Sequence, residues 1–153
     1  RDQIIQECIV SVFDTATKYH EKNVVHTEGW KTNKSWRIAP KIIMPYGVTH
    51  EPKWNGWRMN YHHRDFFLDI DKALCFLAGK TLDQIDTVEQ AIDHQLAQIA
   101  NHDQRHDEPF TSTFFEIRVF KKGTVHLTFK DKNLLARFNQ AAALGKNWVG
   151  AGY

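Results

Sequence analysis

The sequence predicts an α+β fold: a small antiparallel sheet centred on a 114–130 hairpin, packed by about four helices. Three observations predict it. The run FEIRVFKKGTVHLTFK alternates apolar and polar residues on both sides of Lys121-Lys122-Gly123, as a β-hairpin does. Other stretches carry apolar residues at helical spacing. These helical stretches stand both before and after the hairpin, which places the chain in the α+β class.

The hairpin fixes its own register. A three-residue loop at 121–123, with Gly123 at positive φ, sets Val119 against Val125, Arg118 against His126, Ile117 against Leu127, Glu116 against Thr128 and Phe115 against Phe129. One face is then wholly apolar, and the other carries Glu116, Arg118, His126, Thr128 and Lys130. A two-residue loop would set Val119 against His126 and mix the faces, so the longer loop is preferred.

The remaining elements follow in chain order. Ile4, Ile5, Cys8, Ile9 and Val12, continued by Phe13, Ala16 and Tyr19, predict a helix over 3–20. Residues 24–64 differ in kind, with four of the five tryptophans and three of the four prolines. Short extended pieces are expected at 24–27, 35–38 and 41–44, and one to three of them should join the hairpin, since a lone hairpin is marginal. Phe67, Ile70, Leu74 and Leu77 mark a helix from about Arg64 to Ala78, stopped by Gly79. Thr87-Val-Glu-Gln90 is a capping box opening the next helix, which brings Val88, Ile92, Leu96 and Ile99 inward and frays near His102. Asp131 caps a last helix, with Leu134, Leu135, Phe138, Ala141 and Ala142 inward and Gly145 ending it. The tail from Lys146 to Tyr153, with Trp148, is expected to be extended.

At 153 residues, 42% hydrophobic, the chain is read as one globular domain, 1–153. It opens on Arg1 directly in a helical pattern, so excision from a longer chain is expected. No run reaches the roughly 20 apolar residues of a membrane span. Cys8 and Cys75 sit in apolar helical patterns, which suits buried reduced thiols and a cytoplasmic location. The net charge of +2 hides an asymmetry: residues 24–64 are +5 and the remainder −3. A local basic region attracts polyanions even on a near-neutral chain.

Candidate chemistry concentrates in two places. The polar hairpin face places His126 opposite Arg118, a set suited to general acid/base work on a phosphodiester, as in metal-independent ribonucleases. The same face also suits a solvated sheet surface with favourable cross-strand pairs. The second place is VVHTEGWKTNKSW, where His26, Trp30, Lys31, Thr32, Asn33 and Lys34 surround Gly29; lysines and amides would bind phosphate while tryptophan stacks on a base. Trp57 and Arg58 repeat this chemistry further on, and Lys121 and Lys130 add charge on the hairpin. Here too the tryptophans are equally compatible with core packing.

The reading that unites these is a nucleic-acid-binding or nucleic-acid-processing domain, with a metal-independent nuclease as one form. His126 and His26 would be acid/base groups, Arg118 and Lys31 charge stabilisers, Thr128 and Asn33 positioning groups, and Glu116 a further member of the set. Trp30, Asn33, Lys34, Lys121, Lys130, Trp57 and Arg58 would hold the strand. The alternative is a non-catalytic protein-interaction or targeting module using the Trp-rich segment 24–64, with a small-molecule site at GWKTN as a third, weaker possibility. His102 and His106 lie four residues apart but have no cysteine pair near them, so no metal site is assigned and no cofactor is expected. Gly79-Lys80-Thr81 is not a phosphate loop, because Leu74 stands where that motif needs glycine. His126-Leu-Thr128 lacks the second His-x-Thr of a two-histidine phosphoesterase.

The runs FEIRVFKKGTVHLTFKDKNLLARFN, NVVHTEGWKTNKSWRI and DIDKALCFLAG resemble a bacterial and phage domain family of unknown function. The resemblance covers residues from about 10 to 149 and is most specific in the hairpin. It implies a setting on mobile elements and in host defence, with a DNA methyltransferase domain as an associated or fused partner. The chain itself has no glycine-rich cofactor loop after a strand and no Asp/Asn-Pro-Pro-aromatic motif, so the resemblance implies an accessory domain.

Overall fold

In chain order, the computed structural model contains α1 (Asp2–Tyr19), β1 (Val24–Glu28), β2 (Lys34–Ile38), β3 (Lys41–Met44), β4 (Val48–Glu51), β5 (Gly56–Met59), α2 (Arg64–Ala78), α3 (Val88–His102), β6 (Phe110–Thr111), β7 (Phe115–Val119), β8 (Val125–Phe129) and α4 (Lys132–Gly145). It describes residues 2–28, 34–51, 53, 56–102 and 108–146. The class is α+β, as the alternation and the helical stripes demand.

The central sheet is antiparallel throughout, in the order β3-β8-β7-β6. The hairpin has the expected register, from Phe115 opposite Phe129 to Val119 opposite Val125. The Phe120 N–H donates to the Thr124 carbonyl at 3.0 Å, and Gly123 takes φ +104°. Glycine is required there twice over, since a Cβ would also come within 2.8 Å of the Val48 carbonyl oxygen. Phe115, Ile117, Val119, Val125, Leu127 and Phe129 are all buried in one continuous core with the helices. Each such side chain contributes about 1.5–3 kcal/mol by leaving water, which is why one face is committed to packing and the other is free for other uses.

The helices keep their stripes, with one change. In α1, Ile4 turns outward and is 69% exposed, while Ile9, Val12, Phe13 and Ala16 are buried. Gly79 ends α2 in the left-handed region, and the Thr87–Gln90 box opens α3 reciprocally. Asp131 caps α4 by accepting from the Asn133 and Leu134 amides. Gly145 ends α4 as expected, standing as its last helical residue. Its glycine serves close approach: a Cβ there would meet Val10 of α1 at 2.6 Å. Asp71, on the buried side of α2, accepts from the Val88 amide at 2.7 Å and so caps α3 across a helix–helix contact.

Among the described residues, 24–64 supply five strands, two more than the three extended pieces expected. Only β3 joins the central sheet; β1-β2 and β4-β5 form separate two-stranded ribbons. Two buried asparagines replace ordinary strand pairing. Asn23 accepts from the Ile43 N–H at 2.6 Å and donates to the Ile43 carbonyl at 2.7 Å, closing the free edge of β3. Asn139 of α4 does the same for Ile38 of β2. Neither clamp is visible as a local pattern.

Cys8 and Cys75 are free thiols, Cys75 buried and Cys8 partly so. Among the described residues, no helix is long and apolar enough to cross a membrane.

Candidate functional site

The free face of the central sheet is built by alternation alone. On β8 the side chains of Val125, Leu127 and Phe129 go to the core, so His126 and Thr128 take the other side. Pairing then sets Ile43, His126 and Arg118 in one row across β3, β8 and β7, and Lys41, Thr128 and Glu116 in the next. Lys41, Glu116, Arg118, Phe120, His126 and Thr128 line a cleft of about 290 Å³. A neighbouring hollow of about 430 Å³ is lined by His20, Ile43, Pro45, Tyr46, Lys122 and Thr124, and shares His126 with the first. His126 is therefore the hinge between two depressions on one surface.

The electrostatics of this surface centre on the same residue. Partial burial pushes the His126 imidazole below its ordinary value, and Lys41, Lys122, Arg118 and His20 add to the shift in that order. A neutral imidazole surrounded by cations can accept a proton at neutral pH while its surroundings attract an anion. The Phe120 ring lies 4.8 Å from the His126 ring, centroid to centroid, at 59°. Among the described residues, Glu116 is the single acidic side chain lining either depression. His20 accepts from the Lys22 amide through Nδ1 at 3.0 Å, so its neutral form carries its proton on Nε2.

Of the residues expected to act, the fold brings Glu116, Arg118, His126 and Thr128 together. Lys130 does not join them. It follows the last residue of β8, donates through Nζ to the Ser112 carbonyl at 3.0 Å, and lines a different groove beside α4. The chain turns there into the Asp131 cap, which ends the alternation one residue early. Lys121 is exposed at the hairpin tip. Trp57 and Arg58 sit on β5 and line a hollow on the β4-β5 ribbon that, among the described residues, shares no lining residue with the two around His126. Trp57 packs partly against the core, with the His50 ring 4.6 Å away. Trp30, Lys31 and Asn33 lie outside the described residues, as do the side chains of His26 and Lys34, so a joint site with the 24–36 stretch has no structural description.

Lys41, Lys122, His20 and Tyr46 belong to this surface without having been singled out in the sequence. Lys41 arrives through pairing with β8, far along the chain, and His20 follows the C-terminal end of α1. A hollow of about 850 Å³ runs along α1 past Gln3, Glu7, Asp14 and Lys18, with no aromatic or histidine among its described lining residues. Among the described residues no group of three or more His, Cys, Asp or Glu side chains is arranged to hold a metal ion.

No curated protein and no solved structure matches this chain. A family model does match residues 1–148, nearly its whole length, and the chain therefore belongs to the family described as Domain of unknown function (DUF4942).

Proposed function

We propose that the free sheet face around His126 binds the phosphodiester backbone of nucleic acid and can cleave it. One observation carries the reading: a neutral histidine, its titration depressed by burial and by Lys41, Lys122, Arg118 and His20, lies in a cleft on a rigid antiparallel sheet. In this reading His126 takes the proton of an attacking hydroxyl as the new P–O bond forms. The old P–O bond breaks, and the leaving oxygen takes a proton from solvent at the open face. Lys41 and Arg118 stabilise the charge that develops on the phosphoryl oxygens, and the Thr128 hydroxyl helps orient them. Lys41 thus takes the part that the sequence suggested for Lys31. The resemblance to bacterial and phage domains supports placing this activity in the cytoplasm, on a mobile element or in host defence, beside a DNA methyltransferase domain.

The test is cleavage of labelled single-stranded RNA and DNA by the wild type and by His126→Ala. The substitution should lower cleavage by about 100-fold or more while the thermal melt stays intact. Wild-type cleavage by that variant would remove His126 from the reaction. A second reading, a protein-interaction surface on the Trp-rich segment, is favoured by the exposure of Val25 and Trp36 on the β1-β2 ribbon. Salt separates the two, because polyanion binding weakens steeply with added salt and an apolar interface hardly responds.

A further inference from the structure

Tyr46 stands out on this surface for its backbone. Among the described residues it is the single non-glycine with positive φ, at +60°, and the residue is 72% exposed. A bulky residue in the left-handed region is strained and persists only where its surroundings hold it. Here two carbonyls of the turn are held by one residue, Asn60. The Asn60 side-chain amide donates to the Tyr46 carbonyl, and the Asn60 N–H donates to the Gly47 carbonyl at 2.9 Å. Thr49 Oγ1 in turn donates to Asn60 Oδ1 at 2.6 Å. From the other side, the Val48 N–H donates to the Gly123 carbonyl at 3.1 Å, tying the turn to the hairpin loop. Gly47 has no room for a Cβ, which would lie 2.6 Å from Val125 Cγ2. The turn is thus braced on both flanks, yet the ring it carries is left in solvent, lining the hollow that also holds Lys122, His20 and His126.

We infer that Tyr46 is a stacking platform for a nucleobase, and that the ligand of this surface is single-stranded nucleic acid. This rests on reading the His126 face as a phosphate-binding site. A base laid on the Tyr46 ring would place its phosphates toward Lys122 and His126, with the strand continuing into the cleft of Lys41 and Arg118. A paired base has both faces covered by its neighbours in the duplex, so a single exposed ring selects unpaired strands.

Binding by wild type, Tyr46→Asn and Tyr46→Trp tests this, using a short dye-labelled single strand, its blunt duplex, and inorganic polyphosphate measured by calorimetry. Asparagine tolerates the left-handed backbone, so Tyr46→Asn removes the ring and spares the turn. The wild type should prefer the single strand to the duplex. Tyr46→Asn should weaken single-strand binding about tenfold and leave polyphosphate binding unchanged, and Tyr46→Trp should retain single-strand binding. Unchanged single-strand binding by Tyr46→Asn, or an equal loss for polyphosphate, would overturn the stacking role while leaving the phosphate site standing. If the wild type binds neither single strand nor polyphosphate at low salt, both readings fall.

Discussion

Two ionisable side chains with displaced titration have opposite consequences in this protein. His126 is held neutral on an open face among cations, an arrangement that suits anion chemistry. Asp71 is fully buried, and its Oδ1 has no hydrogen-bond partner among the described residues. Burial pushes its carboxyl up to about 7, only partly offset by the Val88 amide that it accepts. A raised carboxyl stabilises the fold fully below its ordinary value of 3.8, and that stability is lost as pH rises toward and through 7. Asp71→Asn keeps an acceptor for the Val88 amide and removes the titration. Relative to that variant, the wild type should lose about 2–3 kcal/mol between pH 5 and pH 8, measured by urea unfolding at each pH. A difference that does not change with pH would show that Asp71 does not titrate in this range.

At the scale of elements, local patterns were legible and distant pairings were not. The 115–129 hairpin, the α2 stop at Gly79 and the caps at Thr87 and Asp131 follow from neighbouring residues, and they formed as expected. The β4-β5 ribbon was missed because its strands are short and flanked by proline and glycine. The closure of β3 was missed because Asn23 works through its side chain and leaves no periodicity. Asn23 meets both polar groups of Ile43 and also donates to the Ala16 carbonyl at 3.0 Å. Asn23→Ala strips partners from buried backbone groups and should cost about 2–4 kcal/mol. The melting temperature should fall by several degrees, whereas an unchanged melt would mean that solvent satisfies the edge of β3.

Across the whole molecule, the candidate site was half legible. Glu116, Arg118, His126 and Thr128 share one hairpin, so alternation alone put them on one face. Their neighbours Lys41, His20 and Tyr46 come from parts of the chain that only the folded sheet brings near. The abundance of tryptophan was a less direct guide, since Trp57 lies partly against the core, where large aromatics also pack well. Lys130 was placed on the polar face by extending the strand past its true end, where the Asp131 cap turns the chain away. Among its described residues, the basic segment reaches this surface through Lys41 on the sheet edge, with Tyr46 presented by the turn that follows.

The central claim is that phosphate binds at His126, and a histidine-resolved NMR titration tests it most directly. In the free protein the His126 ring should titrate below the ordinary value of 6.5, since burial and four neighbouring basic groups disfavour its charged form. A bound polyanion favours the imidazolium, so the ring's pKa should rise when a short single-stranded oligonucleotide is added. Affinity should correspondingly fall as pH rises through the window between the free and bound values. A His126 titration that stays fixed while the oligonucleotide binds would contradict the account, because the strand would then lie elsewhere on the protein.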